Sequence, residues 1–135
     1  MNNMEDKKDV STVFHKFDPV IYPYKIYIAV SNNVNDIPLN FNEYSGKEIV
    51  FIENDTDTSQ AFTMPVQSKG DRNYGVLIFF RTKKSMSMRI ISHESSHAAK
   101  YLFEHIGADC SEHEPFEYVL GWIVDCCEKV KNNKV

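Results

Sequence analysis

Short stretches with a hydrophobic residue at every second position predict β-strands in the part of the chain up to residue 81. The clearest alternation runs from Tyr24 to Ser31, where Tyr24, Ile26, Ile28 and Val30 would form one buried face. Further strand-like segments occur at residues 48–53 (EIVFIE), 59–66 and 74–81 (YGVLIFFR). The last of these is apolar on both faces and gives the strongest signal for a strand.

The spacing of hydrophobic residues changes to a helical period after residue 85. One helix is predicted from Met86 to Ile106, with Ser85 or Ser87 as its N-cap and Gly107 as its end. Its buried stripe would consist of Ile91, Ser95, Ala98, Leu102 and Ile106. A second helix is predicted at residues 112–130, with Phe116, Leu120, Ile123, Cys127 and Val130 at helical spacing. Strands followed by two helices that pack on the sheet predict an α+β fold.

The size and composition suit one domain with a single core, because the chain has 135 residues of which 42% are hydrophobic. Residues 1–9 are polar and predicted to form a frayed tail, so the domain would cover residues 10–135. The net charge of −4 does not indicate a nucleic-acid partner. No apolar run is long enough to span a bilayer, and the N-terminus lacks the features of a secretory signal. Three cysteines also suit a reducing compartment, so we expect a cytoplasmic protein.

The segment His93-Glu94-Ser95-Ser96-His97 has the form H-E-x-x-H and lies inside the first predicted helix. Four residues are slightly more than one helical turn, so both imidazoles project from one face and can hold one metal ion. Glu94 follows the first histidine directly and can act on a water bound to that metal. This arrangement is the zinc-metalloprotease signature, and it predicts Zn²⁺ as the cofactor.

Zinc bound by two histidines needs at least one more protein ligand and a position open to water. Glu104 lies on the same helix, about 10 Å along the axis from His97, which is too far for the same ion. Glu114 and Glu117 lie near the start of the second helix, whose first turns can pass the metal if the two helices are antiparallel. Glu114 also fits a capping box that begins at Ser111, which is its competing structural interpretation.

Two segments, HESSHAAKYLFEHIG and HEPFEYVLGWI, resemble the small phage- and prophage-type zinc metallopeptidases, which are gluzincin-like minimal zincins related to the ImmA/IrrE-like proteins. The resemblance covers about residues 76–122. It implies that Glu114 is the third zinc ligand and that Tyr118 and Gly121 occupy the aromatic and glycine positions of the family motif. Glu117 falls where that motif tends to have a small residue, so it stays an alternative ligand. The resemblance also implies a zincin-like fold with a small, mostly antiparallel-edged sheet of three to four strands.

In zincins generally, the edge strand beside the metal binds the backbone of the substrate. The strand at residues 74–81 is therefore open to two interpretations: such an edge strand, or a central strand that is fully buried. An oxyanion donor is also needed, and Tyr118, Tyr101, His105 and His113 are candidates that the sequence does not rank.

These observations lead to the hypothesis of a zinc metallopeptidase in which His93, His97 and Glu114 hold Zn²⁺ and Glu94 is the general base. Tyr118 is predicted to be a second catalytic residue, besides Glu94. The expected partner is a peptide or protein substrate rather than nucleic acid or a membrane, and the sequence does not indicate an oligomeric state. The alternative is a zincin-like regulatory phage protein that binds a partner without catalysis and carries a structural metal.

Overall fold

The computed structural model describes residues 11–50, 60–111 and 113–135, with His113 described by its backbone alone. The predicted tail at residues 1–9 lies outside the described residues. Within these ranges, five strands form one mixed sheet in the order β1-β2-β5-β4-β3. The strands are β1 (His15–Phe17), β2 (Lys25–Val30), β3 (Phe41–Asn42), β4 (Ala61–Ser68) and β5 (Tyr74–Phe80). The α-helices are α1 (Ile37–Asn40), α2 (Met88–Ile106) and α3 (His113–Lys131).

The predicted α+β class is confirmed, as are the strands predicted at residues 24–31, 59–66 and 74–81, which correspond to β2, β4 and β5. The strand predicted at residues 48–53 is not found in its described part, because Glu48 forms only an isolated bridge with Asn42. Residues 51–53 lie outside the described residues. The sheet has more than the three to four strands expected, since β1 and β3 are too short to show an alternating pattern in the sequence. It is also mixed, because β2 and β5 are parallel whereas the other neighbouring strands are antiparallel.

Strand β5 is central, with β2 on one side and β4 on the other. The edge-strand interpretation of residues 74–81 is therefore wrong. Its apolar character on both faces follows from burial on both faces, because Gly75 to Phe80 are all buried. Val76, Ile78 and Phe80 pack in the core beneath α2 and α3, whereas Leu77 and Phe79 belong to a second core on the opposite face.

The close approach of β2 and β5 depends on Gly75. A Cβ atom at this position would collide with the backbone carbonyl of Lys25 on β2 and would press on the ring of Tyr27. Glycine is therefore required here for the distance between the strands, as expected where two backbones come unusually close.

The limits of α2 agree with the sequence-based prediction. Ser87 is the N-cap, and its side chain accepts a hydrogen bond from the backbone nitrogen of Ile90 at 3.2 Å. Gly107 ends the helix in the left-handed conformation with φ of 73°. The predicted stripe faces the core, with Ile91, Ser95, Ala98 and Leu102 buried and Ile106 half-buried. Helix α2 lies across β4 and β5, which fixes the orientation of its H-E-x-x-H segment.

Candidate metal and catalytic site

The two histidines of the H-E-x-x-H segment lie one turn apart on the exposed side of α2. Their Nε2 atoms are 3.2 Å apart, and their ring centroids are separated by 4.8 Å. Two nitrogen ligands at tetrahedral positions around one zinc ion, each about 2.05 Å from the metal, are about 3.3 Å from one another. The Nε2 atoms of His93 and His97 are therefore already at the separation that one shared zinc ion requires.

Glu94 is only 7% exposed, and its side chain contacts the sheet. Its Oε1 atom accepts a hydrogen bond of 2.5 Å from the hydroxyl of Thr63 on β4. The same hydroxyl lies 3.3 Å from the backbone carbonyl oxygen of Glu94. Thr63 reaches the helix because strand alternation turns Ala61, Thr63 and Pro65 towards α2. The sheet thus holds the carboxylate of the residue that directly follows His93 in the chain.

Helices α2 and α3 run antiparallel, as their side-chain contacts show. The rings of Phe103 and Phe116 pack with centroids 5.4 Å apart, and Ser95 Oγ lies 3.7 Å from Cys127 Sγ. This register places Glu114 level with about residue 105 of α2, roughly 12 Å along the helix axis from His97. The antiparallel pairing on which the third ligand depends is present. Its register, however, places Glu114 beside the C-terminal end of α2, away from His97.

Glu114 and Glu117 are both exposed on the first two turns of α3. Among the residues that the structure describes, no group of three or more His, Cys, Asp or Glu side chains is arranged to hold a metal ion. Glu112 and the side chain of His113 are not among them. The structure thus brings His93 and His97 together without bringing Glu114 to them, and the identity of the third ligand stays a prediction.

Tyr118 belongs to a surface groove that neither His93 nor His97 lines. It is 76% exposed and lines an apolar groove of about 310 Å³. The other residues of the groove are Pro19, Ile21, Tyr22, Pro115, Val119 and Trp122. The Pro19–Tyr22 segment leads into β2, whereas Glu94 lies beside β4, on the other side of β5. The structure does not bring Tyr118 close to the histidines, and its catalytic assignment stays a prediction.

His105 belongs to an aromatic cluster at the C-terminal end of α2. Its Nδ1 atom is hydrogen-bonded to the hydroxyl of Tyr44 at 2.5 Å, and its ring lies 4.8 Å from that of Tyr24 and 5.5 Å from that of Tyr74. Burial raises the pKa of the Tyr24 hydroxyl above its ordinary value, so this phenol stays neutral. His105 therefore has a packing role here, eight residues beyond His97 on the same helix.

Strand β4 contacts the candidate site through Thr63 and Glu94. In the described part of the chain, β4 pairs on its outer side with β3, and only at Gln67 and Ser68. On its other side β4 pairs with β5. The backbone nitrogen of Arg81 donates to the carbonyl oxygen of Gln60, and that of Ser68 donates to the carbonyl oxygen of Asn73, so the backbone of every second residue from Gln60 to Ser68 bonds towards β5. The backbone groups of Ala61, Thr63 and Pro65 consequently point outwards. Proline has no N–H, and its occurrence at an outward position is typical of an edge strand.

The cysteines are not part of this site. Cys126 and Cys127 are buried in the core, and burial raises the pKa of each thiol to about 12. Cys110 is exposed in the turn between the two long helices. No helix among the described residues is long and apolar enough to cross a membrane.

Sequence reasoning missed Thr63, although its signal was present. The side chains of Ala61, Thr63 and Pro65 all face the helix layer. Among them the hydroxyl of Thr63 is a polar group that needs a hydrogen-bond partner. Only the packing of α2 on β4 identified Glu94 as that partner. Comparisons of the chain with protein-family models, with curated proteins and with solved structures gave no significant match.

Proposed function

We propose that this protein is a zinc-dependent metallopeptidase with a zincin-like domain, acting on a peptide or protein substrate. The observation that carries the proposal is the combination of two exposed imidazoles 3.2 Å apart with a buried carboxylate in the adjacent position of the same helix. A binding protein with a structural metal needs the histidines but has no need of Glu94.

His93 and His97 are the residues that would hold the metal, with Glu114 as the third ligand that the sequence resemblance implies. Imidazole nitrogen and carboxylate oxygen are donors that suit zinc. When bound, zinc supplies a Lewis acid that polarises the scissile carbonyl and lowers the pKa of a bound water towards neutrality.

Glu94 is the proposed general base. It lies next to His93 in sequence, and its carboxylate is held from the sheet side by Thr63. In the proposed reaction, this carboxylate accepts a proton from the attacking water and passes it to the leaving amine. Its low exposure keeps bulk solvent away from that proton transfer.

The outward backbone groups of Ala61, Thr63 and Pro65 offer a surface for the substrate. An extended peptide can add to this edge of β4 as a further strand, which would give affinity that depends little on side-chain identity. We therefore propose β4 as the substrate-binding strand instead of β5, which is central in the sheet.

The proposal is tested with purified protein that has been stripped of metal and reloaded with Zn²⁺. Zinc content is measured by atomic emission, and hydrolysis is measured with a mixture of quenched fluorescent peptides of varied sequence. We expect Glu94→Gln to retain zinc and to lose about 100- to 10,000-fold in hydrolysis, the range for removal of a general base.

Glu104→Gln is the matched control, because Glu104 is exposed on the same helix and lies away from the histidines. It should leave both zinc content and hydrolysis unchanged. Hydrolysis by Glu94→Gln at the wild-type rate would refute the catalytic assignment. Zinc binding by wild type without any hydrolysis would instead favour the non-catalytic alternative.

A further inference from the structure

Thr63 is the residue through which the sheet contacts the proposed general base. Its hydroxyl has one proton and lies within hydrogen-bond distance of two acceptors, both on Glu94: the carboxylate oxygen at 2.5 Å and the backbone carbonyl oxygen at 3.3 Å. The shorter contact is the stronger one, because a hydrogen bond to a carboxylate is charge-assisted. The side chain of Glu94 is therefore restrained by a group that belongs to another element.

The backbone of Thr63 faces the other way. Thr63 is opposite Ile78 in the β4–β5 ladder, at one of the positions whose N–H and C=O point towards the outer edge of the sheet. One residue thus presents its backbone to the proposed substrate strand and its hydroxyl to the proposed base. Because both groups belong to Thr63, its backbone and its hydroxyl stay close to one another.

A restraint of this kind matters for a glutamate more than for a shorter acid. Glu94 has three rotatable side-chain bonds, so a carboxylate without a partner would sample several rotamers, of which few point to the water beside the histidines. Catalysis by a general base requires hydrogen-bond reach to the proton that is transferred. Small misplacements of catalytic groups reduce rates by up to about 100-fold.

We propose that Thr63 is a positioning residue, which orients the Glu94 carboxylate from the same strand position that binds the substrate backbone. This inference rests on the proposed metallopeptidase function. It goes beyond the H-E-x-x-H motif, because it assigns a catalytic contribution to a residue of the sheet that the motif does not contain.

The first test is kinetic and uses zinc-loaded protein with a quenched peptide selected from the mixture that the wild type cleaves. Thr63→Val removes the hydroxyl but keeps the β-branched shape and the backbone edge. We expect kcat to fall about 10- to 100-fold with KM within a factor of about two. Thr63→Ser retains the hydroxyl and should restore most of kcat.

Thr12→Val is the matched control, since the hydroxyl of Thr12 also donates to a carboxylate, that of Asp36, at 2.6 Å. This pair lies near β1 and is not in contact with Glu94, so the variant should lose stability without losing kcat. An unchanged kcat in Thr63→Val, or an equal loss in Thr63→Val and Thr63→Ser, would overturn the inference while leaving the proposed function intact.

The second test needs neither metal nor activity. The urea midpoint of zinc-free protein is measured for wild type, Thr63→Val, Glu94→Ala and the double variant. If the hydroxyl acts on the Glu94 side chain, Thr63→Val should lower the midpoint in the wild-type background and have a much smaller effect when residue 94 is alanine. An equal effect in both backgrounds would contradict the link between the two side chains. Absence of peptide hydrolysis by the wild type, with this coupling present, would refute the proposed function and with it the catalytic role of Thr63.

Discussion

The histidine pair predicts that zinc stabilises the folded protein, and that this stabilisation disappears when one imidazole is removed. A ligand that binds only the folded state adds about 2.7 kcal/mol to the free energy of unfolding when its free concentration is 100 times Kd. The unfolding entropy is about 2.1 cal/mol/K per residue, which for 135 residues amounts to about 0.28 kcal/mol/K. Dividing the first value by the second gives an increase in Tm of about 10 °C.

His97→Ala is the informative change because His97 is exposed. Its replacement should alter the stability of the zinc-free protein by no more than about 0.5 kcal/mol, as for other surface substitutions. With zinc, however, the remaining imidazole loses the partner at 3.2 Å that allowed both nitrogens to hold one ion. We therefore expect the zinc-dependent increase in Tm to fall from about 10 °C to about 2 °C or less.

Differential scanning calorimetry with and without zinc measures these shifts, and isothermal titration gives Kd for setting the free concentration. His15→Ala serves as the control, because His15 lies on β1 and should not affect a site on α2. A shift of the same size in wild type and His97→Ala would refute the reasoning, since the stabilising zinc would then be bound elsewhere. The absence of any shift in wild type at millimolar zinc would refute it as well.

Three further predictions concern the fold. In the native protein a thiol reagent at pH 8 should modify only Cys110 among the three cysteines, because the thiols of Cys126 and Cys127 are buried with pKa values of about 12. Fast reaction of all three cysteines would contradict the packing of α3. Gly75→Ala should reduce the free energy of unfolding by about 1–3 kcal/mol or more in urea titrations. Gly121→Ala should instead raise it by about 0.5–1 kcal/mol, because nothing lies within 4 Å of the new Cβ. Similar effects at the two sites would contradict the close β2–β5 contact. The backbone N–H of Asn73 lowers the pKa of the Asp71 carboxyl below its usual 3.8, so the stability that this group contributes is present above about pH 4 and is lost as the pH falls through the lowered value. The urea midpoint should therefore fall less between pH 5 and pH 2.5 in Asp71→Asn than in wild type, and equal slopes would contradict this assignment.

The parts of the fold that follow from local pattern could be predicted from the sequence. The ends of α2 depend on a serine that caps the first turn and on a glycine that adopts positive φ, and both are local properties of the chain. The spacing of His93 and His97 on one helix is local too, and it brings both imidazoles to one face without reference to the rest of the protein. The long strand β5 was predicted for the same reason, because seven apolar or small residues in succession form a strand wherever it lies in the sheet.

The position of β5 in the sheet could not be predicted in this way. An apolar run on both faces is compatible with a central strand and with an edge strand covered by other elements. The outcome depends on β2 pairing with β5 across a long connection and on the tight contact at Gly75, and neither is visible in the alternation of residues 74–81.

The third ligand is the clearest example of information that local pattern lacks. The sequence predicted the buried face of α3, but not how far α3 is displaced along α2. That displacement is set by the packing of Phe103 on Phe116 and of Ser95 on Cys127. A shift of two turns between antiparallel helices moves a glutamate by about 11 Å while leaving the hydrophobic pattern unchanged. Thr63 was missed for a related reason, since its role depends on which strand α2 crosses.

The most direct measurement is a crystal structure of the zinc-loaded protein with anomalous data collected at the zinc edge. We predict one anomalous peak about 2.0–2.1 Å from Nε2 of both His93 and His97, with a carboxylate oxygen as a further ligand, solvent in the remaining position and Glu94 facing that solvent. A peak at any other place would contradict the account. A metal at the histidines whose four positions are all filled by protein atoms would also contradict it, because no position would be left for the water that Glu94 is proposed to activate.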